Sequence, residues 1–383
     1  MTGTVNDSLL PHPEEGLLTV VAVRHHRHRA ALLRPFVTAA RRTEAVEYVV
    51  AEVELAGGTI GQGSAAETVA VTGESAASIA GAIDGPLRQA LEGTSGTITE
   101  LSARIAGALE RASSAKAALE VALHDAWARV CDQPLVELLG GRLEDGLLND
   151  MTISLADPPV MAARAREAAE RGEQILKIKL GHDIDEDRRR LAAVVEAAPS
   201  VRLRLDANQG WTARQAIEII TGFEAEGLPV ELVEQPVPAA DLEGMLQVTS
   251  AVAMPIMADE SVWTVQDARR LVDAGAADLL NIKLAKTGGI RGALAIADVA
   301  QEAGIDCMVG AMMEPRISIT AAAHLAIAHP AITLIDLDSP AWFASAVPAG
   351  GYEQDGAWLQ LTGGPGLGLE RLPATTDALR AES

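Results

Sequence analysis

Between residues 151 and 338 the chain repeats one hydrophobic beat. Short apolar runs recur as MTISL, ILKIKL, VRLRLD, VELVEQP, PIMADE, LLNIKL, DCMVG and TLIDLD, separated by seven Ala-rich stretches of helical spacing. Strands that alternate with helices predict βα units and a parallel sheet. The last of these eight strands runs into SPAWF and not into another helical pattern. The prediction is an α/β fold, a TIM-like (β/α)7β barrel over residues 146–345. The N-terminal part lacks the beat. There LLTVVAV and EYVVAEVELAGG read as strands, the second closed by Gly57-Gly58, and two helical patterns follow. From Ser113, SSAKAALEVALHDAWARV reads as a strongly amphipathic helix. Residues 1–145 are expected to form an α+β domain, whose first 16 residues, polar and with two prolines, should fray. In residues 346–383, GGYEQDGAWLQLTGGPGLGLE reads as turns and short strands, a segment expected to return to the first domain.

Three of the strand candidates carry a carboxylate at their end: Asp206 in RLRLDAN, Glu234 in VELVEQP and Asp259 in PIMADES. The steps from 206 to 234 and from 234 to 259 are 28 and 25 residues, about what one βα unit consumes. The acids should therefore crown consecutive strands at the C-terminal face of the barrel, where barrel enzymes place their chemistry. Three hard oxygen ligands suit Mg²⁺ better than zinc, which prefers His and Cys. Lysines keep the same period, Lys179 lying 27 residues before Asp206 and Lys283 24 after Asp259. Lys177 and Lys179 share one strand face, because side chains at i and i+2 point the same way. A lysine on the second strand and another on the sixth would flank a metal from opposite sides. Such a pair can handle a proton on either face of one carbon.

Composition narrows the partners. A formal charge of −22 over 383 residues argues against nucleic acid, whose binding rests on clustered Lys and Arg. Two cysteines exclude a disulfide framework and fit a reduced compartment. The first residues lack a basic segment followed by an apolar one, and no apolar run approaches membrane-spanning length. The expectation is a cytoplasmic protein with a small-molecule substrate, no membrane partner and a homo-oligomeric state.

KIK at 177–179, DANQGW at 206–211, VEQP at 233–236, ADES at 258–261 and KLAKTGG at 283–289 resemble the motifs of the enolase superfamily, in its muconate-lactonizing-enzyme subgroup. The order and spacing match too, and the likeness extends over nearly the whole chain, including ALEVALHDAWARVCDQPLVELLGG and the PGLG at 365–368. Within the subgroup, VTGES at 71–75, MVGAMMEPRISITAAAHLA at 308–326 and DLDSP at 336–340 most resemble dipeptide epimerases of the L-Ala-D/L-Glu type. The resemblance implies that the first domain caps the barrel and that Mg²⁺ sits on Asp206, Glu234 and Asp259. It implies Lys179 and Lys283 as acid/base catalysts, with Lys177 as a positive neighbour. Asp336 and Asp338 match the pair that binds a dipeptide's free α-ammonium group, and Arg41 matches an arginine that contacts the substrate side chain. The implied enzyme is an isomerase that epimerises a dipeptide residue by two-lysine 1,1-proton transfer through a metal-stabilised enolate. The alternatives on the same site are a proline-type amino-acid racemase or dehydratase, an N-acyl amino-acid racemase and a cycloisomerase. Two departures fall in the first domain: Gly61-Gln62-Gly63 leads to Ser64-Ala65-Ala66 where relatives place an acid and a proline-rich turn, and RHHRHR fills residues 24–29.

The chemistry explains the residue types. Removing the α-proton of an amino-acid carboxylate puts a second negative charge on oxygens that already carry one, and a divalent cation neutralises it as it forms. A lysine with a pKa of about 10.4 is a poor base at neutral pH, and a neighbouring ammonium such as Lys177 lowers it toward the useful range of about 7 to 8. Each motif alone also has a plainer reading. KIK marks many exposed edge strands, and Asp336 and Asp338 also fit solvated charges at the barrel mouth. RHHRHR reads as a solvated strand or loop, without the Cys or spaced acids of a metal site. Lys286-Thr287-Gly288-Gly289 lacks the spacing of a phosphate loop and reads as a turn opening a helix. His124 and His324 read as capping or core residues. Met312 and Met313 either line the pocket or pack. A Schiff-base aldolase also uses a barrel lysine, yet would not need three spaced acids.

Overall fold

The computed structural model describes residues 16–38, 42–181, 183–345 and 348–374. Eight parallel strands lie side by side in sequence order: Met151–Ile153, Ile175–Lys179, Arg202–Asp206, Val230–Glu234, Ile256–Ala258, Leu279–Ile282, Asp306–Gly310 and Ile332–Asp336. The helices between them cover the sheet, most with one apolar face and Arg316–Ala328 buried on every side; Thr212 and Thr264 start two of them with capping boxes, and Gly227 and Gly275 end the same two in left-handed backbone. After the eighth strand comes only the short 3₁₀ turn Ser339–Trp342, so the barrel is (β/α)7β as the pattern predicts. The first and eighth strands stand at the ends of the backbone ladder. Side chains close that seam. Asn149 Oδ1 accepts from the Leu337 N–H at 2.8 Å, and Asp338 Oδ2 accepts from the Thr152 N–H at 2.7 Å.

The capping domain is built on an antiparallel sheet ordered Ile60–Ala66, Arg42–Leu55, Leu18–Val37, Ser95–Gly96. Its strand Leu18–Val37 runs on through RHHRHR, which is strand and not loop because it pairs with Arg42–Leu55 along that stretch. The charges there are half-exposed and paired across the strands, Arg24 with Glu54 at 2.7 Å and Arg27 with Glu47 at 2.9 Å. The helix Ser113–Val130 packs so closely on strand Ile60–Ala66 that a Cβ on Gly61 or Gly63 would come within 2.2 Å of the Ala122 carbonyl or 2.1 Å of the Ala118 carbonyl.

One expectation is corrected here. The helix Ser113–Val130 has no wet face: it is buried from Ala117 through Ala128. Its polar positions meet other elements instead of water. Glu120 accepts from the Ile290 N–H at 2.7 Å, at the start of barrel helix Ile290–Ala303. Asp125 accepts from the Gln62 N–H at 2.9 Å and the Leu367 N–H at 2.8 Å. These carboxylates satisfy backbone donors that would otherwise be orphaned where cap, barrel and C-terminal residues meet.

The C-terminal residues divide. Tyr352–Asp355 and Trp358–Leu361 form a small antiparallel sheet with Gly146–Leu148, just before the first barrel strand. Further on, Gly366 pairs with Pro134, and Arg371 meets Glu52 of the capping sheet at 2.9 Å. No helix among the described residues is long and apolar enough to cross a membrane.

Candidate active site

Strand alternation aims the chemistry inward. Lys179, Asp206, Glu234 and Asp336 are the last residues of the second, third, fourth and eighth strands, and Asp259 and Lys283 directly follow the fifth and sixth. Register carries Lys179 opposite Asp206 and Asp206 opposite Glu234. They surround a cavity of about 480 Å³, lined by Lys179, Asp206, Asp259, Lys283, Asp336 and Asp338 from the barrel, and by Phe36, Thr38, Ala70 and Val71 from the cap. Met312, Met313 and Trp263 add apolar wall. Glu234 and Lys177 lie behind the lining, each 1 % exposed. Every site residue read from the sequence is therefore brought together except Arg41, which lies outside the described residues.

The ion pairs are dense. Lys177 Nζ stands 2.5 Å from Glu234, 2.7 Å from Asp336 and 3.4 Å from Asp206. Lys179 Nζ donates to Asp206 Oδ2, and Lys283 Nζ donates to Asp259 Oδ2 at 2.6 Å. Two further residues emerge that the strand pattern did not flag. Lys286, one helical turn after Lys283 and fully buried, donates to Asp259 Oδ1 at 2.6 Å, to the Asp259 carbonyl at 2.5 Å and to the Asn281 carbonyl at 3.0 Å. Asn281 in turn donates to Glu234 Oε1 at 2.7 Å. Asn281 was findable: it lies two residues before Lys283 and so shares its inward face.

The loops that carry the acids are under backbone strain. Asn208, Gln209 and Gln235, all non-glycine, have φ of 43°, 66° and 38° directly after the third and fourth strands. Hydrogen bonds hold them there: Gln235 Oε1 accepts from the Asp259 N–H at 2.9 Å and the Ser261 N–H at 3.2 Å.

Electrostatics separates residues that look alike in sequence. Burial pulls the Lys177 ammonium down, but Asp336, Glu234 and Asp206 outweigh it and hold Lys177 well above the ordinary lysine range. The same contest, won by Asp259 and Glu234, holds Lys283 above its ordinary value. Burial would raise Asp336, yet Lys177 and Lys179 keep it well below the usual carboxylate range. Asp338 differs: burial and the Asp336 charge push it up to about 6, against hydrogen bonds from neutral donors only. Glu234 is pushed up to about 7 by burial and the Asp206 charge.

As the side chains stand, no three acids or imidazoles among the described residues meet at a spacing that would hold an ion. Ammonium groups stand between them, Lys177 between Glu234 and Asp206, and Lys283 and Lys286 on the two oxygens of Asp259. The donor chemistry nevertheless fits a hard divalent cation. The buried Asp206, Glu234, Asp259, Asp336 and Asp338 and the half-buried Glu260 make six carboxylates against the four ammonium groups of Lys177, Lys179, Lys283 and Lys286. Burial first, and neighbouring carboxylate charge second, displace Glu234, Glu260 and Asp338 upward. An oxygen-only, carboxylate-rich cluster with unneutralised charge is what Mg²⁺ requires of its ligands.

Comparison with known proteins agrees with this geometry. Residues 20–140 match the family model of the mandelate racemase / muconate lactonizing enzyme N-terminal domain, and residues 160–374 match that of the enolase C-terminal domain-like family. The chain is 42 % identical over 359 residues to the L-Ala-D/L-Glu epimerase of Bacillus subtilis, covering 92 % of this chain and 97 % of that protein. The solved structure of that epimerase in a substrate-liganded complex superposes with a TM-score of 0.89, at 41 % identity, over 92 % of this chain and 98 % of the other. The dipeptide epimerase of Enterococcus faecalis, complexed with Mg and the dipeptide L-Leu-L-Tyr, superposes with a TM-score of 0.87, at 37 % identity, over 92 % of this chain and all 100 % of that one. With its capping domain and barrel both matched, the chain belongs to the mandelate racemase / muconate lactonizing enzyme family of the enolase superfamily.

Proposed function

We propose that this protein is a Mg²⁺-dependent dipeptide epimerase, an isomerase that inverts the α-carbon of one residue of a dipeptide with a free amino terminus. The observation that carries the reading is the pair Lys179 and Lys283, on the second and sixth of eight strands and lining one cavity, with three strand-end acids on the strands between them. Strands four positions apart in an eight-stranded barrel face each other. The two lysines therefore approach a bound α-carbon from opposite sides. One, as the neutral amine, removes the proton and becomes an ammonium; the other, as the ammonium, delivers its own, and the roles exchange for the other stereoisomer. A divalent cation held by Asp206, Glu234 and Asp259 would supply the charge neutralisation that makes the α-proton removable.

Lys177 is no base in this reading. Three carboxylates fix it as a permanent cation, and it orients Glu234 and Asp206. Of the two acids at the end of the eighth strand, Asp336 is already paired with an ammonium, Lys177 at 2.7 Å. Asp338 carries the uncompensated charge and is the acceptor for the substrate's α-ammonium group, which favours a free dipeptide over an N-acyl amino acid. Phe36, Val71 and Met312 give the cavity an apolar wall.

The test is incubation with free dipeptides in D₂O and Mg²⁺. α-Deuterium incorporation with inversion is expected, abolished by EDTA and restored by Mg²⁺. Asp206→Asn, Glu234→Gln and Asp259→Asn should fold and be nearly inactive. Full turnover in excess chelator, or a preference for N-acetylated substrates, would overturn the assignment.

A further inference from the structure

We propose that Trp342 is a positioning residue for the substrate's amino terminus: its indole fixes the Asp338 carboxylate and ties it to the cap strand that walls the same cavity. The proposal rests on Asp338 being the ammonium acceptor. Asp338 Oδ2 accepts two hydrogen bonds, from the Thr152 N–H at 2.7 Å and from Trp342 Nε1–H at 3.2 Å. Both donors are neutral, so they set the direction of the carboxylate without cancelling its charge. Asp336, two residues earlier, has the opposite arrangement and spends its charge on Lys177.

The indole is itself pinned. Trp342 is 2 % exposed, and Phe36 meets its ring edge-on, with centroids 5.0 Å apart and planes at 90°. The Arg34 guanidinium lies over the same ring, 5.0 Å from its centroid. Both partners belong to the end of cap strand Leu18–Val37, and Phe36 also lines the catalytic cavity. Backbone joins the same elements: the Ala344 N–H donates to the Ala31 carbonyl at 2.9 Å, and Leu32 bridges to Phe343. One side chain thus connects the acceptor acid, a wall of the pocket and the cap. An aromatic six residues past a strand end has no periodic signature, so the sequence read SPAWF only as the place where the barrel stops.

Trp342→Phe keeps a ring for Phe36 and Arg34 and deletes the N–H. A hydrogen bond to a charged acceptor sets the expected loss at about 10-fold or more in kcat/KM for the free dipeptide, mainly through KM. The N-acetylated dipeptide, with no ammonium to place, should be unaffected. Trp342→His, which retains a ring N–H, should recover part of the loss. In an Asp338→Asn background the Phe substitution should add nothing, because it acts through that carboxylate. Fluorescence separates this from failure of the epimerase reading. The Asp338 carboxyl, lifted to about 6 by burial and Asp336, faces the Trp342 N–H, so the emission difference between wild type and Trp342→Phe should titrate through that pH region and be flat in Asp338→Asn. Additive effects in the cycle, equal losses on free and acetylated substrates, or an emission difference without titration in the wild type would overturn the proposal, whether or not dipeptides are turned over.

Discussion

The inward faces of the barrel strands hold two layers only two residues apart, and the layers behave differently. At the mouth stand Asp206, Glu234, Asp259, Lys283 and Asp336; two positions earlier on the same strands stand Arg204, Leu232, Met257, Asn281 and Leu334. Leu232, Met257 and Met308 form an apolar cluster of their own inside the barrel, joined by Leu279 and Leu334. Of the cations at this depth, Lys177 reaches up to the mouth acids, whereas Arg204 donates to Asp150 at 2.8 Å, to the Ile335 carbonyl at 2.9 Å and to Glu231 at 3.2 Å. Both layers bury charge, so burial does not mark the reactive one. What differs is access: Arg204 is paired with two acids and a carbonyl away from the cavity, whereas the mouth has more carboxylates than ammonium groups and opens on a cavity of about 480 Å³. A paired charge walled in by the core holds structure, and surplus charge facing a cavity can bind and move protons.

The largest way to break this contrast is at the mouth. Lys179→Ala and Lys283→Ala should each lower inversion by about 10²–10⁴-fold, the usual contribution of a positioned acid or base. Neither should unfold the protein, because Lys286 still pairs with Asp259 and Lys177 stays 3.4 Å from Asp206. Proton NMR in D₂O should show each variant still exchanging the α-proton of one stereoisomer, and the two variants favouring opposite isomers. If both keep inverting, or both exchange the same isomer, the mouth is not a two-base site.

At the floor the same kind of substitution should do the reverse. Arg204→Met leaves Asp150 buried without its partner and should cost about 3–5 kcal/mol of stability, read by urea unfolding. Activity per folded molecule should stay within a few-fold, since Arg204 does not line the cavity. Met257→Ala should cost about 2–5 kcal/mol as a cavity-forming change, again without a specific effect on turnover. A floor substitution that kills catalysis in a fully stable protein would erase the distinction between the layers.

The difference between layers also explains what the sequence discloses. Mouth residues stand at strand ends one βα unit apart, so their period is the period of the fold, and the acids, Lys179 and Lys283 are legible from spacing alone. Lys286 and Trp342 act from turns after the strands, where no period operates and only contact reveals them. The helix Ser113–Val130 misled for a related reason. Its Glu120 and Asp125 look like a solvent face by pattern, and only the approach of the barrel and of the C-terminal residues turns that face inward. RHHRHR was legible as polar but not as the middle of a 20-residue strand, because partner pairing and not its own alternation makes it one.

The smallest expected effect sharpens the contrast by adding a buried site whose function is to stay neutral. His324, on barrel helix Arg316–Ala328 and 1 % exposed, accepts at Nδ1 from the Val136 N–H of the capping domain at 2.9 Å, while Nε2 faces the Leu367 carbonyl at 3.4 Å. That pattern requires a neutral ring with its proton on Nε2; a proton on Nδ1 would meet the Val136 N–H head-on. Burial lowers the His324 pKa to about 4, below the 6.5 of an exposed imidazole. Between those values the unfolded chain takes up a proton that the folded protein refuses, so stability is full above pH 6.5 and falls as pH drops toward 4, by up to about 3 kcal/mol. Mouth groups with raised values, Asp338 at about 6 and Glu234 at about 7, contribute with the opposite sign, since an acid that prefers its neutral form gains as pH falls. His324→Gln isolates the histidine, because an amide can accept from Val136 and donate to Leu367 without titrating. Urea unfolding at a series of pH values should give a wild-type minus His324→Gln difference that shifts by about 3 kcal/mol between pH 7 and 4, the wild type losing. A difference that is flat with pH would mean that the ring can be protonated in place, and the junction of cap and barrel would then tolerate a charge as the mouth does.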